Sequence, residues 1–149
     1  MIAKSSKLNL LSTDILDSNI VFHPNSLKTE DVIKKMAEAP VNIDFDIKTN
    51  DEGLHYVFAT IEINNEESAD FGYSINVTGA SVFEFEEGIT EKETNDLIPS
   101  GVNITITNLR GYIKAVTSYY PLGSFSFHTI DMNALFEARV KEKRTANKE

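Results

Sequence analysis

The sequence predicts an α+β fold in which a four-stranded antiparallel sheet carries two main helices packed on one of its faces. Two observations support the sheet: apolar and polar residues alternate over several runs, which is the two-residue period of a strand with one buried face, and polar turns separate the middle runs. A third observation supports the helices. In the last third of the chain, apolar residues recur at spacings of three and four.

Four segments are predicted to be strands. The first shows two shifts of its apolar register, at Leu10-Leu11 and at Ile15-Leu16, which indicate β-bulges. The other three follow one another through polar connections, including the turn Asn50 to Gly53, and therefore form an antiparallel meander. The predicted strand ranges are 7–22, 41–49, 54–63 and 71–85.

Three segments have helical character. A short amphipathic helix is predicted after Thr29, a candidate N-cap residue, and Pro40 ends it. The helix predicted around residues 105–120 rests on an apolar stripe formed by Leu109, Ile113, Val116 and Tyr120.

The flanks of these helices are predicted to be irregular. The acidic segment 86–96 is expected to be a loop, and Pro99 and Gly101 are expected to break the chain before the second helix. A last helix begins after Asp131 or Asn133 as N-cap. Residues 141–149 are predicted to be a solvated tail of a single domain that spans residues 1–149.

The amino-acid composition argues against some classes of binding partner. The 149 residues carry a formal net charge of −9, so the field of the protein repels the phosphates of nucleic acids. There is no cysteine, which excludes disulfides and thiolate metal sites and fits a cytoplasmic location. No stretch approaches the ~18 apolar residues of a membrane-spanning helix. We therefore expect neither nucleic-acid binding nor membrane insertion.

Residues that could support catalysis or metal binding are scattered. His23, His55 and His128 lie in three separate elements without metal-ligand spacing, and no nucleotide-binding or hydrolase motif is present. Asp44 and Asp46 share one strand face, where solvated charges are the ordinary interpretation. We expect no enzyme activity, no cofactor and no metal.

The amount of apolar strand surface is unusual. In the segment 54–63, Tyr56 and Phe58 alternate with apolar residues of the opposite face, so this strand is apolar on both sides. The second face must be covered by another copy of the chain or by an apolar ligand, unless the chain simply has an oversized core.

The order of motifs resembles that of the SecB-type protein-export chaperones. The resemblance runs from about Leu8 to Val140 and rests on the order and spacing of short motifs, which are "SNIVFHPN", "PVNIDFDIKT", "GASVFEF", "LIPSGVNI" and "DMNALFEARV". By this resemblance, the protein is an ATP-independent chaperone that assembles as a homotetramer, a dimer of dimers. It would hold unfolded or secretory polypeptides in apolar grooves.

The resemblance also assigns residues to the groove and to the subunit interface. The groove falls on the connection before the second strand, on that strand and on the last helix, at Leu27, Val32, Met36, Val41, Ile43, Phe45, Leu135, Phe136 and Val140. The interface falls on the preceding helix, at Ile113, Val116 and Tyr120.

One difference from the export chaperones concerns the binding of their partner, the SecA translocase motor. Export chaperones of this family present carboxylates on the outer sheet surface to the SecA translocase motor, and the aligned positions here are Asn19, His23 and Asn76. A docking surface that depends on charge therefore lacks its charges. Two alternatives follow: a SecB-like chaperone dedicated to specific clients such as the antitoxin of a toxin–antitoxin pair, or a non-catalytic structural or small-ligand-binding module of the same fold.

Overall fold

The computed structural model describes residues 1–147 and contains four strands and three helices. In chain order they are β1 (Leu8–His23), α1 (Thr29–Glu38), β2 (Val41–Thr49), β3 (His55–Ile63), β4 (Gly72–Phe85), α2 (Glu91–Thr117) and α3 (Met132–Ala146). The strands form one antiparallel sheet in the order β1-β4-β3-β2. The α+β class and the four-stranded antiparallel sheet predicted from the sequence are confirmed.

Strand β1 contains both predicted bulges. Its register against β4 shifts between Leu10 and Ser12 and again between Ile15 and Asp17. Leu11 and Leu16 are the extra residues, and they are 49% and 56% exposed. Each bulge adds one residue to β1, and the side chains before and after it stay on the sheet faces that their partners in β4 define. The alternation of apolar and polar residues in the sequence therefore shifts by one position at each bulge.

Helix α2 covers one face of the sheet and forms the core with it. The buried side chains of β3 and β4 alternate along each strand, with Ile61, Ile63, Ile75 and Val77 at 0% exposure, and they pack with Leu109 and Ile113 of α2. Asn108 of α2 also donates a hydrogen bond of 2.8 Å to the Thr13 hydroxyl of β1. The helix therefore contacts β1, β3 and β4 at once.

Gly79, at the centre of β4, lets α2 approach closely. A Cβ atom at this position would overlap the Leu109 side chain and would lie 3.0 Å from the Asp14 carbonyl oxygen. The glycine within the predicted strand thus marks a close approach of another element, one of the two ordinary roles of a glycine in a strand.

The start of α2 corrects the sequence-based prediction. The helix begins at Glu91, within the segment that was expected to be a loop, and continues through Pro99. A capping box explains this start, because the Thr90 hydroxyl accepts from the Glu93 amide while the Glu93 carboxylate accepts from the Thr90 amide. Proline removes one helical hydrogen bond, and packing of the helix on the sheet outweighs that loss.

The same carboxylate pairs with Lys7, the residue before β1. The Lys7 ammonium donates to Glu93 at 2.7 Å, and this bond together with the Thr90 amide lowers the pKa of Glu93 to about 2. The capping carboxylate is therefore charged throughout the ordinary pH range, as the positive end of a helix favours.

Helices α1 and α3 each differ from the predictions at one end. Thr29 is the first residue of α1 rather than its cap, and Lys28 occupies the cap position without a side-chain bond. The predicted cap of α3 is confirmed, since Asp131 accepts from the Ala134 amide at 3.0 Å. Residues 141–146 of the predicted solvated tail are exposed and continue α3, while 148 and 149 lie outside the described residues. Between residues 1 and 147, no helix combines the length and apolarity needed to cross a bilayer.

Candidate functional site

Of the nine predicted groove residues, eight lie on α1, β2 and α3, and Leu27 lies on the connection between β1 and α1. Three of them, Val32, Met36 and Phe45, are buried in the core with exposures of 3%, 3% and 6%. Leu27 and Val140 are exposed. The half-buried remainder consists of Val41, Ile43, Leu135 and Phe136. The three buried side chains therefore belong to the core, and the other six keep exposed apolar surface.

Helix α1 presents apolar side chains in two directions. Val32 and Met36 point into the core, whereas Ile33 is 50% exposed. Leu27, just before the helix, is 45% exposed. The Lys35 ammonium lies 5.2 Å from the centre of the Phe71 ring. This short helix therefore carries exposed apolar surface beside buried anchors.

Helix α3 lies over β2 and buries none of its own residues. Its ring contact is between Phe136 and Phe45, whose centroids are 5.1 Å apart at 61°. The Arg139 guanidinium lies 5.8 Å from the Phe45 ring centre and pairs with the Asp44 carboxylate at 3.1 Å. Such a pair with a mostly exposed partner contributes ~0–1 kcal/mol. Helix α3 is therefore held through few side chains.

An apolar cleft opens between α1 and the connection from α2 to α3. Its volume is about 120 Å³, and it is lined by Ile33, Met36, Tyr73, Leu122, Gly123, Ser124 and Phe125. Only Met36 among these was predicted as a site residue. The aromatic residues of "PLGSFSF" were the available sequence signal for the connection, but the sequence alone does not show that it returns to α1.

Tyr73 fixes the connection against the sheet. Its side chain is 1% exposed, and its hydroxyl donates to the Gly123 carbonyl and accepts from the Leu122 amide, both at 2.9 Å. The ring also contacts Phe125 edge-on, with centroids 6.5 Å apart. Burial raises the pKa of the Tyr73 phenol, so its hydroxyl remains a donor. One side chain thus shapes one wall of the cleft.

Met36 is seated by two unusual backbone positions. Gly72 has a φ of +62°, and any Cβ there would overlap the Met36 side chain. Asn64 has a φ of 48°, and its side-chain amide donates to the carbonyls of Phe71 and Tyr73 at 2.8 and 3.1 Å. A left-handed backbone favours Gly and Asn. These two residues therefore fix the place where α1 meets β4.

The predicted interface residues do not share one environment, and Tyr120 lies after the end of α2, which carries the other two. Ile113 has 0% exposure and belongs to the core of its own chain, so it has no surface to offer a second subunit. Val116 and Tyr120 are half-buried. The Tyr120 hydroxyl donates to the Ile20 carbonyl at 3.1 Å. The helical period predicts a buried stripe well, but it does not separate a chain's own core from an interface.

The three positions aligned to the docking carboxylates lie near one end of the sheet face opposite α2. Asn19 pairs with Asn76 across β1 and β4. The His23 Nε2 lies 2.7 Å from the Ser74 hydroxyl, which itself donates to the Asn64 carbonyl. Ser74 thus accepts from His23 instead of donating to it, which is not the arrangement of an activated nucleophile. Among residues 1–147, no three or more metal-ligating side chains cluster together.

Comparison with known proteins identifies the fold. No protein-family model matches the sequence, and no curated protein does. Among solved structures, the fold matches a Mycobacterium tuberculosis protein, the Rv1957 SecB-like chaperone in complex with a ChAD peptide from the Rv1956 HigA1 antitoxin. That match has a TM-score of 0.53 and 12% identity, and it covers 83% of this chain and 88% of the other.

A Streptococcus agalactiae protein of unknown function is also similar, with a TM-score of 0.44, 8% identity, and 82% and 97% of the two chains covered. That likeness is too weak to carry an argument. The chain has the fold of a SecB-like chaperone.

Proposed function

We propose that this protein is a cytoplasmic, ATP-independent holding chaperone that binds unfolded polypeptide segments along the groove formed by α1, β2, α3 and the α2–α3 connection. The observation that carries the proposal is the apolar cleft between Ile33 and Phe125, together with the half-buried apolar side chains on β2 and α3. The likeness of the fold to a SecB-like chaperone supports it.

The physical basis is the burial of apolar surface. Each apolar Å² removed from water contributes ~25 cal/mol, whichever sequence supplies it. A cleft of about 120 Å³ suits one apolar side chain of an extended segment. Exposed Leu27 and Val140 add apolar surface outside it. Binding of this kind selects for unfolded chains because folded proteins bury the residues that fit.

A pair of charge substitutions tests the groove. Ile33→Asp and Val140→Asp each place a carboxylate on an exposed groove residue, so the fold is expected to persist. Binding of a reduced, carboxymethylated globular protein, measured by calorimetry, is expected to weaken about tenfold or more because an unpaired charge would be desolvated. Suppression of aggregation of the same client is expected to fall in parallel.

The matched control is Ile2→Asp, which adds the same charge to a side chain of 98% exposure outside the groove. It is expected to bind as the unmodified protein does. The proposal fails if the unmodified protein neither binds the unfolded client nor suppresses its aggregation. Retained binding in both groove variants would place the site elsewhere.

The choice of client favours a dedicated role over general export. Asn19, His23 and Asn76 carry no carboxylate where the export members of the family use one for the SecA motor. The Mycobacterium protein of the same fold binds a peptide from an antitoxin. We therefore propose a specific client such as an antitoxin. Should a small apolar molecule bind the cleft while unfolded chains do not, the alternative of a ligand-binding module would replace this proposal.

We also propose assembly as a homotetramer, a dimer of dimers, through the free edge of β1, Val116 of α2 and Tyr120 just after that helix. The β1 edge carries apolar residues of 38–56% exposure, namely Leu10, Leu11, Leu16 and Val21. A long edge strand with exposed apolar side chains pairs readily with another strand. Sedimentation equilibrium is expected to give four times the 16.6 kDa chain mass. Leu16→Lys with Val21→Lys should lower that mass; an unchanged mass would exclude this edge.

A further inference from the structure

The sheet face opposite α2, called the outer face below, carries a small apolar patch. In the strand register Tyr56 lies beside Val82, and Phe58 lies beside Ala80. These four residues are called the outer patch. The rings of Tyr56 and Phe58 stack with centroids 6.4 Å apart and an interplanar angle of 18°.

The outer patch points away from the helical layer. Gly79 faces Leu109 of α2, so its neighbour Ala80 faces the other side. Tyr56, Phe58 and Val82 are half-buried by their neighbours in the sheet. The patch is therefore a flat apolar surface on a face that α2 leaves free.

Carboxylates flank the patch on both sides. One row across the four strands reads Asp46, Phe58, Ala80 and Asp14. The next row begins with Asp44 and ends with Asp17, with a hydrogen-bonded threonine pair between them. All four aspartates are exposed. The two acidic edges are three strand spacings apart, about 14 Å.

The patch already receives a cation from its own chain. The Lys48 ammonium lies 5.5 Å from the centre of the Phe58 ring. A cation above an aromatic face contributes ~0.5–1 kcal/mol at an exposed site. The Phe58 ring is therefore able to hold a cation, and Lys48 occupies that place in this structure.

The charges argue against a second copy as the occupant. Two outer faces brought together would place aspartates against aspartates in proteins that each carry a net charge of −9. Like charges in direct apposition are unfavourable. A partner with basic residues fits instead.

We propose that the outer patch binds another protein through an amphipathic helix whose apolar stripe has a lysine or arginine at each end. At 1.5 Å per residue, the ~14 Å between the acidic edges corresponds to about nine helical residues. Such a helix would lie across the four strands, with its apolar residues on the rings and its basic residues on Asp14 and Asp46. The threonine row separates this surface from Asn19 and Asn76. The outer patch and the groove lie on different surfaces, so both can be occupied together.

A synthetic probe tests this surface. The probe is a fluorescein-labelled amphipathic helix with a leucine stripe and lysines at both ends, compared with the same peptide carrying glutamates in place of lysines. Fluorescence anisotropy is expected to show binding of the lysine peptide only, weaker at high salt. The double variant Asp14→Asn, Asp46→Asn is expected to weaken binding about 3–10-fold, given two exposed ion pairs. Phe58→Thr is expected to weaken it about tenfold or more.

Two controls locate the binding. Asp51→Asn with Glu52→Gln removes the same two charges from the β2–β3 turn, and Ile33→Asp alters the groove; both are expected to leave the probe affinity unchanged. Loss of the probe in Ile33→Asp would show that it binds the groove, and unchanged binding in the outer-patch variants would show that the patch is not the binding site; either result overturns the proposal. A fall in the sedimentation mass of Phe58→Thr would identify the patch as a contact between copies, which also overturns it.

Discussion

Substitution of Gly79 by valine is expected to destabilise the protein by at least about 3 kcal/mol, since overpacking a rigid core is costly. The new side chain would overlap Leu109 and approach the Asp14 carbonyl, and neither α2 nor β1 can move without disturbing the core. For a domain of this size, that loss lowers the melting temperature by roughly 6–12 °C. Chemical or thermal unfolding followed by circular dichroism measures it.

The sign of this effect distinguishes packing from local propensity. Valine favours strands over glycine by up to ~1 kcal/mol, so propensity alone predicts stabilisation. Gly111→Ala is the matched control, because Gly111 is exposed on α2 and its Cβ would meet nothing within 4 Å. That change is expected to stabilise the protein by about 0.5–1 kcal/mol. A Gly79→Val protein as stable as the original would refute the close approach of α2.

Substitution of Tyr73 by alanine is expected to cost about 3–5 kcal/mol, the range for loss of a buried aromatic side chain. Tyr73→Phe separates the contribution of the hydroxyl. It leaves the Leu122 amide and the Gly123 carbonyl without their partner, which costs about 1–3 kcal/mol. The connection that lines the cleft should loosen as well. Amide hydrogen exchange is expected to be faster at Leu122 and unchanged at Ile61 of the core.

Tyr112→Phe removes the same atom from an exposed position. The Tyr112 hydroxyl donates to the Ser18 hydroxyl at 2.9 Å at the surface, where water can replace it. This variant is expected to stay within about 0.5 kcal/mol of the original. Equal losses for the two phenylalanine variants would mean that Tyr73 does not hold the connection.

The sheet could be predicted from sequence because its alternation is strict. In β2, four apolar side chains face the helical layer and four polar ones face solvent, without exception between Val41 and Lys48. In β1, the two shifts of apolar register in the sequence mark the places where the strand bulges. Patterns of this kind act locally, so a sequence displays them directly.

Only the C-terminal part of helix α2 could be predicted from the sequence. Its apolar stripe located the C-terminal part, but the acidic segment before it resembled a loop, and Pro99 resembled a terminator. The spacing of Thr90 and Glu93 was the signal that could have revealed the start. Proline in a helix is tolerated when tertiary packing outweighs one lost hydrogen bond, and no local pattern reports that balance.

The groove residues named from the family resemblance stay a prediction, and several of them, such as Val32 and Phe45, are core residues. Of the residues that line the apolar cleft, only Met36 was among them. The cleft depends on Tyr73 meeting Gly123, fifty residues later in the chain. Contacts over such separations arise from the fold as a whole, and one sequence does not display them.

The two extra residues of β1 make that strand tolerant of length change at two points only. Because Ile15 and Asp17 already pair with consecutive residues of β4, loss of Leu16 would leave every remaining side chain on its present side of the sheet. The same holds for Leu11, between Leu10 and Ser12. A deletion anywhere else in the strand would move the side chains on one side of the deletion to the opposite sheet face, so that apolar side chains would point outward. Natural variation in the length of this strand should therefore concentrate at these two positions.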